Sequence, residues 1–87
     1  MSNEAVKIKR EAVEIMVNHF KERFNIKKDI EVTNEYERTE TCIRIKYGAY
    51  SYIMGENEDI VKGVSNSFRM IIDVIIRREY LGLTEIK

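Results

Sequence analysis

Apolar residues recur at helical spacing near both ends of this 87-residue sequence, but at every second position between Ile30 and Met54. That switch restricts the fold strongly, because a helix repeats its face about every 3.6 residues and a strand every second residue. Toward the N-terminus, Val6, Val13, Met16, Val17, Phe20 and Phe24 share one helical face. Ser2 or Asn3 can cap that helix, with Glu4 in its first turn. Asn25, followed by Lys27, Lys28 and Asp29, marks its end, where lysines complement the negative helix terminus.

In the middle segment, Ile30, Val32, Asn34 and Tyr36 alternate with Glu31, Thr33, Glu35 and Glu37. Ile43, Ile45 and Tyr47 then alternate with Cys42, Arg44 and Lys46. Gly48-Ala49 suits a two-residue hairpin turn, which predicts Tyr47 opposite Tyr50, Ile45 opposite Tyr52 and Ile43 opposite Met54. A turn at Arg38-Thr39 would set Val32 opposite Ile45 on the buried face and Glu31 opposite Lys46 on the exposed one. Both registers bring the large apolar residues together.

Gly55 ends the third predicted strand, and Asn57 or Asp59 can cap a second helix whose first turn would carry Glu56, Glu58 and Asp59. Ile60, Val61, Val64, Phe68, Ile71, Ile72 and Ile75 form its apolar face, with Arg77, Arg78 and Gly82 at the far end. The expected fold is α+β, one domain over residues 1–87, in the order α-β-β-β-α. A three-stranded antiparallel meander would be covered on one face by two helices. Further apolar residues lie beyond these faces. Ile8, Ile15, Met70, Val74 and Ile76 fit either a self-association surface or the wide arc that a helix pair wedged over a small sheet buries, with scattered surface aliphatics beside it.

With 44% hydrophobic and 34% charged residues, the chain has the composition of a globular protein rather than a disordered one. Its longest apolar stretch, Met70 to Ile76, contains Asp73 and falls short of the roughly 20 residues a membrane helix needs. The N-terminus lacks the features of a secretory signal, so a cytoplasmic location is expected. The single cysteine, Cys42, agrees with a reducing compartment.

No constellation of residues points to catalysis, a cofactor or a metal. His19 is the only histidine and has no cysteine or carboxylate pair at ligand spacing. Cys42 is expected on the exposed sheet face opposite Glu35, which would raise its pKa and make it a poor nucleophile. Ser65 and Ser67 lie within a helix without the glycine-framed turn of a hydrolase nucleophile. The glycines are isolated and assemble no phosphate loop. Tyr36, Tyr47, Tyr50 and Tyr52 fall on the face that the helices should cover, where they would pack as core rather than stack on bases.

Charge is the remaining signal. Residues 29–59 hold eight acids against three bases, while the flanking segments are net positive and bring the total to zero. Glu35, Glu37, Glu40, Glu56, Glu58 and Asp59 are the candidate partner-binding residues, set to meet arginines or lysines that otherwise hold phosphate. The plainer reading is that they solvate a sheet edge and complement a helix dipole.

Two resemblances bear on these alternatives. The α-β-β-β-α order resembles the double-stranded-RNA-binding domain, which grips phosphates with helix one, the first hairpin loop and a basic start to its last helix. Here the equivalent of that last segment, Gly55 to Lys62, is acidic, and the first hairpin, Tyr36 to Thr41, lacks the family's loop chemistry. Lys7, Lys9, Arg10, Lys21, Arg23, Lys27 and Lys28 support nucleic-acid binding as the alternative function.

The stretch from Tyr52 to Val61, with Phe68, looks like the strand-to-helix junction of a small phage anti-CRISPR protein of the same element order. Glu56, Asn57, Glu58, Ile60, Val61 and Phe68 carry this resemblance, over less than a quarter of the chain. It implies a phage-encoded, non-catalytic inhibitor that imitates DNA with acidic side chains and binds a CRISPR effector nuclease. The resulting expectation is a protein partner approached through acids, with homodimeric assembly as a further alternative.

Overall fold

The computed structural model describes residues 3–78. Helix α1 (Asn3–Arg23) is followed by strands β1 (Glu31–Asn34), β2 (Ile43–Tyr47) and β3 (Tyr50–Met54), then by helix α2 (Ile60–Ile76). The predicted order is present. Ser2 and Gly82 lie outside the described residues, and Asn3 is the first residue of α1.

Each boundary has a local cause. At the end of α1, Asn25 takes φ 57° and donates to the Glu22 carbonyl at 3.1 Å, while Ile26 donates to the Lys21 carbonyl at 2.9 Å. This is a Schellman closure, with asparagine in the left-handed position usually held by glycine. Gly48, at φ 60°, turns β2 into β3 in two residues. At the start of α2, the Asp59 carboxylate accepts from the Lys62 amide at 3.0 Å.

The strands form one antiparallel sheet in the order β1-β2-β3, with both predicted registers. Val32 faces Ile45 and Glu31 faces Lys46; Tyr47, Ile45 and Ile43 face Tyr50, Tyr52 and Met54. Both helices cover the face bearing Ile43 and Ile45. Their core contributions include Val13 and Val17 from α1, and Val64, Phe68 and Ile71 from α2. Burying each such side chain contributes about 1.5–3 kcal/mol.

The helices run in the same direction. Near the start of α1, Lys9 Nζ donates to the Glu56 carbonyl at 2.5 Å, and farther along Phe20 packs on Phe68 with ring centroids 5.3 Å apart. Gly63 brings α2 close to β3: a Cβ there would collide with Met54 Sδ and lie 2.7 Å from its Cγ.

Several expected placements differ. Val74 and Met70, expected on a flank of α2, instead belong to the core or pack against it, because the sheet and α1 together cover a wider arc of α2 than one helical stripe. Val61 and Phe24, expected inside, are exposed. Phe24 retains contact through ring stacking on Phe20. Glu56 and Glu58 precede α2 rather than occupying its first turn, since the chain first makes a tight turn in which the Glu58 amide donates to the Gly55 carbonyl at 3.2 Å.

Candidate protein-contact surface

Antiparallel pairing fixes which segments meet at each end of the sheet. Asn34 lies opposite Ile43, and Ile43 opposite Met54, so residues 35–42 and 55–59 emerge at the same end. The N-terminal part of α1 reaches this end through Lys9, which touches the Gly55 and Glu56 carbonyls. Six acids that are scattered in sequence therefore lie around one end of the fold, although they are not equivalent.

Glu35 is withdrawn from the surface. It was expected to be exposed and available to a partner, but it is only 4% exposed and pairs with Arg44, which reaches it diagonally across the β1–β2 ladder. Its carboxylate also accepts from the Glu37 amide at 3.2 Å. Arg44 beside it holds its pKa below the usual carboxylate value, with help from the Glu37 amide and against the opposing effect of burial. Arg44 Nε is itself buried without a hydrogen-bond partner among the described residues.

The hairpin does not stay in register up to Arg38-Thr39. After the Glu35 amide donates to the Cys42 carbonyl at 2.9 Å, residues 36–41 leave the ladder, and the Thr39 amide donates back to the Glu35 carbonyl at 3.0 Å. The alternation stops there. Tyr36, expected beneath the helices, is 72% exposed, and Cys42, expected to be exposed, is buried at the base of the loop.

Glu58 and Asp59 have internal roles. Glu58 accepts from the Tyr52 hydroxyl at 2.6 Å and from the Gly55 amide at 3.1 Å, fixing the turn between β3 and α2. The Glu58 carboxylate and burial both raise the Tyr52 pKa, against the Asn66 side chain that donates to the same hydroxyl. Asp59 is the α2 cap.

Glu37, Glu40 and Glu56 remain. All three are exposed, and none of their carboxylates is paired with a described residue. Beside them a shallow cleft of about 200 Å³ is lined by Val6, Lys7, Arg10, Asn34, Tyr36 and Glu40. Arg10 is bound to Glu14 at 2.9 Å and Lys9 to backbone carbonyls, so part of the basic charge of α1 is already engaged here. Segregation of charge in sequence thus becomes partial interleaving in space. Lys9 and Arg44 have structural roles here that composition did not reveal, although the β1–β2 register already put Arg44 diagonal to Glu35.

The self-association set is divided in the fold. Ile8, Ile15 and Ile76 are exposed, whereas Val74 is buried and Met70 packs against the core. His19 is exposed, and its ring meets that of Phe20 edge-to-face with centroids 5.9 Å apart. No group of metal-ligating side chains occurs among the described residues. No described helix is long and apolar enough to cross a membrane.

No family model matches the sequence, and no match was found among curated proteins or solved structures.

Proposed function

We propose that this chain is a small non-catalytic binding protein that modulates a nucleic-acid-handling protein, such as a bacterial defence nuclease, by presenting carboxylates to a basic surface. The supporting observation is the arrangement of Glu37, Glu40 and Glu56: three exposed carboxylates, unpaired among the described residues, drawn from two separate loops to one end of the sheet. Carboxylates gathered on one surface in this way can replace phosphates against arginine or lysine. A phage-encoded inhibitor related to the anti-CRISPR proteins is the specific form of this reading, motivated by the resemblance around Glu56 to Val61.

The test is affinity capture from bacterial lysate with and without nuclease treatment, followed by the triple substitution Glu37→Lys, Glu40→Lys, Glu56→Lys. A protein partner that survives nuclease treatment and is lost with the folded triple variant supports the reading. Retention by that variant refutes it.

A duplex-binding module is the second reading. Its support is Tyr36, 72% exposed in a cleft shared with Lys7 and Arg10, at the end of the fold where the double-stranded-RNA-binding topology meets its ligand. Binding of this kind weakens steeply with salt. Failure to bind any duplex at low salt would eliminate it.

A further inference from the structure

Two side chains are buried on the face of the sheet that neither helix covers: Glu35 is 4% exposed and Cys42 7%. Strand alternation puts Cys42 on the side of Arg44 and Lys46, away from Ile43 and Ile45, and the contact with Arg44 holds the Glu35 carboxylate on that same side. Glu31, Thr33, Lys46 and Ser51 share this face, and all four are exposed. The 55–59 turn leads from β3 into α2 on the helix face. Among the described residues, the cover over Glu35 and Cys42 is therefore the 36–41 loop.

The loop is held from within its own hairpin. The Glu37 amide donates to the Glu35 carboxylate at 3.2 Å, and the Thr39 amide to the Glu35 carbonyl at 3.0 Å. The Cys42 amide donates to the Thr39 carbonyl at 3.2 Å, and Asn34 Nδ2 to the Glu40 carbonyl at 3.0 Å. The apolar core draws no residue from 33–42, and a cleft lies between the loop and the start of α1. Lifting the loop thus breaks a few hydrogen bonds and uncovers no core, the condition under which a segment opens at lower free energy than the whole domain. Glu35 is the joint between loop and sheet: its Oε1 accepts from the Glu37 amide while its Oε2 takes the Arg44 guanidinium of β2.

We propose that residues 36–41 open as a unit while the rest of the domain stays folded, and that the Glu35–Arg44 pair is the latch that keeps them closed over Cys42. A charge-assisted bond anchored on the central strand sets the closed population, because the other bonds of the loop are neutral backbone or amide contacts. Glu37 and Glu40 travel with the loop, whereas Glu56 stays on the 55–59 turn. The latch therefore decides whether the three carboxylates share one surface. This last consequence rests on the proposed contact surface, but the opening does not.

Cys42 is the sole cysteine, so its alkylation by iodoacetamide, followed by mass spectrometry, reads the opening without any partner. In wild type the thiol should react more slowly than a free thiol, at a rate nearly independent of urea below the unfolding transition, since opening the loop exposes little surface. Arg44→Leu and Glu35→Gln should each retain the wild-type circular dichroism spectrum and react about tenfold faster or more, as expected for loss of a charge-assisted hydrogen bond. Lys46→Leu, on the same face of β2 but away from the loop, should leave the rate unchanged. A wild-type rate that rises with urea in step with global unfolding would overturn the proposal, by showing that the thiol is reached only when the whole domain unfolds. Reaction at the free-thiol rate would overturn it too, as would folded Arg44 and Glu35 variants that react no faster than wild type. Loss of partner binding in the Glu37, Glu40 and Glu56 triple variant bears on the contact surface alone, so the two readings fail separately.

Discussion

Arg44 on β2 reaches diagonally to the carboxylate of Glu35, a side chain only 4% exposed at the base of the 36–41 loop. The pair ties the loop to the open face of the sheet, and its consequence is an acid dependence. The Glu35 pKa lies below the ordinary value near 4.5, so the ionised form is favoured by folding. Its contribution to stability is present above that value and is lost as pH falls through the lowered folded pKa. In Arg44→Leu the carboxylate keeps its burial but loses its cation. The stability gap between wild type and variant should be widest near neutral pH and close as pH falls below about 4.5, measured by urea denaturation across pH.

Gly63 and Met54 make a second relationship that can be tested by coupling. An alanine at 63 gains about 1 kcal/mol in helix propensity but meets a Met54 side chain that is fully buried and has little room to move. Overpacking of this kind costs about 1–3 kcal/mol, so Gly63→Ala should be destabilising by thermal or denaturant unfolding. In a Met54→Ala background the same substitution should become neutral or stabilising. Additive effects in the two backgrounds would show that the close approach does not control the cost.

Charge reversals at the acidic end should separate into two classes. Asp59→Lys removes the α2 cap and should cost about 0.5–2 kcal/mol of stability whatever the partner. Reversal of Glu37, Glu40 or Glu56 should leave the melting temperature nearly unchanged and act only on partner binding. Thermal unfolding of the four single variants checks the division.

Tyr52→Phe removes the hydrogen bond to Glu58 and should cost about 1 kcal/mol. The raised Tyr52 pKa means that this contribution is present below pH 10 and is lost as pH rises through the folded value. Ultraviolet titration of the wild type should therefore show a late phase above pH 10 that is absent in the variant.

The regular elements were legible because each carries its own period and its own punctuation. Asn25 and Gly48 supplied the left-handed positions, and the two-residue turn at Gly48-Ala49 set Ile43 opposite Met54 and Ile45 opposite Tyr52. The 36–41 loop was not legible. The alternation that gives Val32 and Asn34 their faces continues in sequence through Glu35, Tyr36 and Glu37, while the backbone leaves the ladder after Glu35. That exit is stabilised by Glu35 itself, through Arg44 and the Glu37 amide, and no local propensity records a contact between neighbouring strands. Glu58 was obscured for a similar reason: its charge suggested a helix start, but its partners are Tyr52 and the Gly55 amide. Val74 joined the core because both α1 and the sheet cover α2, a sum that a single helical stripe does not contain.

The common direction of the two helices has a practical consequence for handling the protein. α1 starts beside the 36–41 loop and the 55–59 turn, whereas α2 runs from Met54 back along β3 toward the Gly48 hairpin. An affinity tag or fluorophore joined ahead of α1 is therefore carried at the same end of the fold as Glu37, Glu40 and Glu56. One attached at the Gly48–Ala49 turn is held at the far pole, where it leaves those carboxylates clear.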